Sequence, residues 1–290
     1  MAEPTRVGMR CLSTFLLGWC GIIAPGTSQG AGPSIQFQER FEDADLPGRG
    51  WYDGRNYRLA EMDASDGKRC VQFHFSKGSE LPGDTWGARH ALEPTEEVYL
   101  SFSFKLSKGW KWTNRPYGPH LLHFMTTEND RYHGPAQSHL TLYIEPVNGK
   151  LRLAAQDIQN AKAPHGLTQG PLRGGYNGQM FDGKDVLFDD DAWHEVEAYF
   201  RLNELDLAKD RPIENGIARA WVDGKLVVDR TDLVFRSTDF PKMKFNQFLM
   251  LPYFHHGVPQ DQTLWIDDLT VANRLPDRLG SPKPLDSARP

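Results

Sequence analysis

The chain has 290 residues, 39% hydrophobic and 24% charged, with a formal net charge of −5 at pH 7. That length suits one large domain or two small ones, and 11% aromatic residues are too many for a disordered chain. The composition is too polar for a membrane protein, and the negative balance gives no global basic field for nucleic acid. The 27 glycines and 20 prolines exceed the usual combined share of about 12%. Turn-rich chains of this size often form a single all-β sandwich.

Residues 1–30 read as an export signal. Arg6 and Arg10 make a positive start. Residues 11–24 are uncharged and apolar, but shorter than the ~20 residues that span a bilayer. Small residues follow, with a cleavage point at Ser28-Gln29-Gly30. The mature protein is therefore expected to be secreted or periplasmic, with no membrane attachment after cleavage. Two of the three cysteines leave with the signal. Cys70 remains as a small packed strand residue, and no Cys/His spacing resembles a zinc site.

Period-two alternation dominates the rest, and helical periodicity is scarce. Strands are predicted at 34–41, 69–76, 86–92, 99–106, 121–126, 139–145, 150–156, 193–202, 216–222, 225–229, 246–254 and 262–272. Asn148-Gly149 and Asp223-Gly224 are two-residue hairpin signals. Residues 157–191 read as a long Gly-rich loop, of the kind that is usually functional. Residues 31–273 then form one sandwich, followed by a Pro-rich, flexible tail at 274–290.

Alternation separates the two faces of each strand. Leu100, Phe102, Phe104 and Leu106 face the core, opposite Tyr99, Ser101, Ser103 and Lys105. Val71, Phe73 and Phe75 oppose Gln72 and His74, while Leu140, Leu142 and Ile144 oppose His139, Thr141, Tyr143 and Glu145. The outward sets are rich in His, Tyr, Gln and Arg. Flat aromatic rings and paired donors and acceptors on an open sheet suit a sugar polymer.

Several segments share a pattern: Phe41-Glu42-Asp43 with Trp51, Trp193-His194-Glu-Val-Glu, Ala220-Trp-Val-Asp-Gly-Lys-Leu-Val227, and Leu264-Trp-Ile-Asp-Asp-Leu-Thr-Val271. Together they resemble concanavalin A-like jelly rolls of secreted carbohydrate-active proteins, and among these the alginate, glucuronan and heparin lyase type. The resemblance spans most of residues 35–273. It implies an all-β, two-sheet antiparallel jelly roll that binds a polysaccharide across its concave sheet. Gly87-Ala88-Arg89-His90 matches the Arg-bearing strand of the alginate lyases. Leu121-Leu122-His123-Phe124 matches their Gln-Ile-His strand, and Leu249-Met250-Leu251-Pro252-Tyr253 their Tyr-bearing strand. The Gln and Lys of those motifs are absent at the matching positions.

The implied reaction is β-elimination at a uronic acid. Donors neutralise the carboxylate, a base takes the C5 proton, and an acid protonates the departing O4. Arg89 is the expected clamp, since its fork pairs bidentately. His123 or His139 is the expected base or carboxylate neutraliser, and Tyr253 or Tyr143 the acid/base. Gln72, His74, Lys105, Glu145 and His255 are expected to bind substrate. No cofactor is required. A structural Ca²⁺ on Asp43 and Asp267 is a further expectation if the first and last strands pair.

Two alternatives fit the same residues. A jelly-roll glycoside hydrolase needs paired carboxylates, and Glu195 and Glu197 share a face about 6.6 Å apart by strand rise. A non-catalytic glycan-binding module would keep aromatic platforms without a converging His/Tyr/Arg set. There is no phosphate loop, nucleophile elbow or nucleotide fingerprint. A polysaccharide, anionic in the lyase reading, is thus the expected partner, with no nucleic acid or membrane.

Overall fold

A computed structural model describes residues 34–54, 57–61, 65, 67–83, 87–115, 120–126, 140–156, 179–184, 188–238 and 240–280. In chain order the strands are β1 (Ile35–Glu39), β2 (Trp51–Asp53), β3 (Arg58–Glu61), β4 (Arg69–Phe75), β5 (Ala88–Thr95) and β6 (Glu97–Leu106). They continue as β7 (His120–Thr126), β8 (Leu140–Val147), β9 (Lys150–Gln156), β10 (Gln179–Asp182), β11 (Trp193–Arg201), β12 (Leu205–Asp206) and β13 (Arg211–Pro212). The last are β14 (Gly216–Val222), β15 (Lys225–Leu233), β16 (Phe245–Tyr253) and β17 (Gln262–Ala272). No α-helix occurs among the described residues, so none there could cross a membrane.

Two antiparallel sheets form the sandwich. The eight-stranded sheet runs β15-β14-β11-β6-β17-β4-β3, with β1 also on β17. The seven-stranded sheet runs β10-β9-β8-β7-β16-β5-β2. This is the all-β jelly roll that the alternation and the motifs predicted. Phe73, Phe75, Phe102, Phe104 and Phe200 enter the core from one sheet, and Leu122, Phe124, Leu142, Ile144 and Phe248 from the other. Both hairpin signals hold. Asn148 and Gly149 have φ of 48° and 82°, and Asp223 and Gly224 have 49° and 72°, the paired positive angles of a tight hairpin turn.

The shared motifs are scaffold. Asp223 accepts hydrogen bonds from His194 Nδ1 at 2.8 Å and from Glu195 N at 2.9 Å, and the Asp189 amide donates to His194 Nε2 at 3.1 Å. The Trp-His and Trp-Val-Asp-Gly segments therefore lock one hairpin against the strand beside it. Near the start, buried Glu39 accepts from the Phe41 amide, the Arg49 guanidinium and the Trp51 indole, which fixes the first turn.

Three expectations change. Strands β2 and β3, at three and four residues, are too short to show alternation. Residues 179–182, expected within the long loop, form β10 on the edge of the seven-stranded sheet. Residues 274–280, expected in a loose tail, pack back onto the eight-stranded sheet. Leu275 joins Tyr99, Tyr199, Ile217 and Trp221 in a second small core, and Arg278 pairs with Glu197. The export signal, Trp86, His139, most of the expected loop and residues 281–290 lie outside the described residues.

Candidate active site on the seven-stranded sheet

The strand register builds a row across the outer face of this sheet. Tyr52 lies opposite Arg89, Arg89 opposite Leu249, Leu249 opposite His123, and His123 opposite Tyr143. Their chain neighbours Ala88, Leu122, Phe124, Ile144, Phe248 and Met250 enter the core, so this row points away from it. Sheet pairing thus gathers the expected Arg89, His123 and Tyr143 from three different strands.

A sixth position joins them that alternation did not predict. Leu122 and Phe124 are core residues, and strict period two would bury His120 with them. The β7–β16 register shifts between Met250 and Tyr253, and Tyr253 pairs with His120. Such irregularities re-aim a side chain. The His120 ring sits 5.9 Å from that of His123, 4.7 Å from Tyr143 and 5.5 Å from His255. It stacks on Tyr253 at 5.9 Å with an 8° interplanar angle. Its Nδ1 is hydrogen-bonded to Oε1 of Glu145, whose side chain is 1% exposed.

The two histidines differ in their surroundings. His123 is 3% exposed, and its Nδ1 lies 3.3 Å from the Leu249 carbonyl oxygen. Burial, aided by nearby His120, pushes its pKa down to about 3. His120 keeps 15% of its side chain exposed. His255, half-buried, is also shifted down, by burial first and then by His120.

Tyr253 is held from below by a loop. Its hydroxyl donates to Glu80 Oε2 at 2.9 Å, and the His256 amide donates to Glu80 Oε1 at 3.0 Å. These two donors hold Glu80 below its usual carboxylate range. The loop itself is laced to residues 78–80 by backbone bonds, and Gly257 (φ 77°) passes so close that a Cβ would lie 2.2 Å from the Gly78 carbonyl oxygen.

Arg89 lies on β5 with 13% of its side chain exposed. It forms an ion pair with Asp53, stacks 5.1 Å from the Tyr52 ring centre, and reaches Gln247 Oε1 at 3.5 Å. Gln247 is fully buried, and its amide nitrogen finds no hydrogen-bond partner among the described residues. Gln247 was legible in the sequence only as an alternating strand residue.

Other expected site residues lie elsewhere. Gln72, His74 and Lys105 stand on the outer face of the eight-stranded sheet, because their neighbours Val71, Phe73, Phe104 and Leu106 fill the core. There Gln72 accepts from the Trp265 indole, His74 bonds Thr263, and Lys105 lies 3.4 Å from Asp191. They cannot share a groove with His123. The hydrolase pair also fails, since Glu197 is fully buried and bound by Tyr99 and Arg278. Strands β1 and β17 do pair, as the calcium expectation required. Yet Asp43 binds Arg49, and Asp267 accepts the Ser65 and Asp268 amides at 3.0 and 2.8 Å. Among the described residues no three His, Cys, Asp or Glu side chains group as metal ligands.

The two packed antiparallel sheets describe a β-jelly roll. No protein-family model matches the chain, and no curated protein matches it. Solved structures do. The chain is similar to alginate lyase vAL-1 from Chlorella virus, at 16% identity and a TM-score of 0.60, over 82% of this chain and 99% of that one. It is similar to a marine alginate lyase from Aplysia kurodai, at 14% identity and 0.57, over 82% and 98%. It is similar to an endo-β-1,4-glucuronan lyase from the fungus Trichoderma reesei, at 15% identity and 0.53, over 83% and 96%. At these identities the likeness is one of fold.

Proposed function

We propose that this chain is an exported polysaccharide lyase, secreted or periplasmic, that cleaves a uronate-containing chain by β-elimination on the outer face of its seven-stranded sheet. The carrying observation is the convergence of Arg89, His120, Tyr143, Tyr253 and His255 on that one face. Fold neighbours that cleave alginate and glucuronan support the same reading.

Elimination needs positive charge at the uronate carboxylate and a base and acid at C5 and O4. Arg89 supplies a cation on this face beside the buried Gln247, and Arg152, bound to Asp182 opposite Glu145, is another. The His120, Tyr143, Tyr253 and His255 rings cluster on the same face and supply proton transfer. The chemistry needs no metal. The test is to incubate the protein lacking residues 1–30 with uronate polymers and follow ultraviolet absorbance of the unsaturated product. Absorbance growth on alginate or glucuronan is expected. New reducing ends on neutral glucans without absorbance would sink the lyase reading.

A further inference from the structure

We propose that His120 is the proton-accepting catalytic residue of this face, that Glu145 is its positioning residue, and that His123, the motif-matching histidine, is structural. The assignment rests on the lyase reading above and deepens it.

The geometry separates the two imidazoles. His123 is sealed, 3% exposed, with its Nδ1 turned to the Leu249 carbonyl. A base that must reach a sugar C–H cannot work from such a position. His120 stands at the partly open end of the row with its Nδ1 fixed by Glu145. A carboxylate on one ring nitrogen fixes the tautomer: Nδ1 carries the hydrogen and Nε2 presents a lone pair. Glu145 has almost no contact with solvent, so the pair is oriented by the sheet and not by a mobile side chain. The other groups around the His120 ring are His123 on its own strand, Tyr143 on β8, and Tyr253 and His255 from β16 and its loop. Glu80 stands behind Tyr253.

The step balances with these groups. Nε2 of His120 takes the C5 proton, and the C5–H electron pair forms the C4–C5 double bond. The C4–O4 bond breaks, and the Tyr253 hydroxyl turns from Glu80 to give its proton to O4. The imidazolium then returns one proton through solvent to the tyrosinate, restoring both groups. A general base of this kind contributes about 10²–10⁴-fold.

The experiment measures kcat and KM of the mature protein, His120→Ala, His120→Gln, Glu145→Gln and His123→Gln on a uronate polymer. Unfolding temperature serves as the fold check. His120→Ala and His120→Gln are expected to lower kcat about 10²–10⁴-fold, with added imidazole restoring part of the His120→Ala loss. Glu145→Gln is expected to lower kcat about 10²-fold at unchanged KM, since it acts only through His120. His123→Gln is expected to keep kcat within a fewfold of wild type. Wild-type kcat in both His120 variants, or imidazole rescue of a His123→Ala variant instead, overturns the assignment while leaving the lyase reading intact. A wild type that makes no unsaturated product from any uronate polymer overturns the lyase reading and this assignment with it.

Discussion

The two outer faces of the sandwich carry nearly the same residue types and differ in what those residues are bound to. On the eight-stranded sheet several reactive groups are held by the scaffold. Tyr99 and Arg278 both hold the buried Glu197, Tyr199 donates to Glu97, Lys105 lies against Asp191, and Trp265 donates to Gln72. Burial and the adjoining carboxylates push both phenols up, which keeps them neutral. On the seven-stranded sheet His120, Tyr143, Tyr253 and His255 face one another as rings, with Glu145 bound to His120 and Arg89 further along the face. Residue type alone does not make a site. What each residue is bound to decides what it is free to do.

The sharpest way to break this contrast is at Arg89. Removing a donor aimed at developing charge costs about 10²–10³-fold in kcat. Arg89→Ala is therefore expected to lose that much activity with its unfolding temperature nearly kept, because its ion-pair partner Asp53 is 46% exposed. An Arg89→Ala variant with normal turnover would remove the carboxylate clamp from the seven-stranded face. On the opposite face the large effect is on stability. Arg278→Ala leaves the fully buried Glu197 with one fewer partner, at a cost of about 1–3 kcal/mol. Glu197→Gln in that background is expected to recover part of it, and chemical denaturation measures both. No change in either variant would mean that the C-terminal turn does not seal the second core.

Alternation made much of this legible, and register hid the rest. The core face of β4, β6, β8 and β11 could be read from Val71, Phe102, Leu142 and Val196, because period two is the pleat itself. Which sheet each strand joins is set by long-range pairing. That is why Gln72 and Lys105 were grouped with His123 although the sandwich lies between them. His120 was invisible for a second reason: it turns outward only through the β7–β16 register shift, which local pattern does not encode. Arg278 was hidden in a Pro-rich segment whose packing depends on the distant cluster of Tyr99, Tyr199 and Trp221.

His123 gives a contrast that titration can sharpen. In the fold it stays neutral down to about pH 3, whereas the unfolded imidazole takes a proton near 6.5. Between those values the unfolded state binds more protons, so stability falls as pH drops from about 6.5 toward 3. The slope approaches about 1.4 kcal/mol per pH unit for one proton. Unfolding free energies at pH 7 and pH 5 from chemical denaturation should therefore differ by about 2 kcal/mol more in the wild type than in His123→Gln. Equal pH dependence of the two would mean that His123 is hydrated and free to charge, which would return it to the list of candidate bases.

The smallest effects are expected where the residues look most like a sugar platform. Lys105 pairs with Asp191 at 3.4 Å, and that carboxylate side chain is 57% exposed, so Lys105→Met should change stability by less than about 1 kcal/mol. His74 is exposed and, among the described residues, bonds Thr263, and His74→Ala should fall within about ±0.5 kcal/mol. Neither touches the face that holds Arg89 and His120, so kcat/KM on a soluble oligosaccharide should match wild type in both. The polymer arm tests the comparison itself. A long chain can wrap past one sheet, whereas a short oligosaccharide cannot. If the two variants lose activity on polymer and keep it on oligosaccharide, the eight-stranded face binds glycan as well, and the division of labour between the sheets fails. Equal activity on both substrates leaves proton transfer and carboxylate recognition to the seven-stranded face alone.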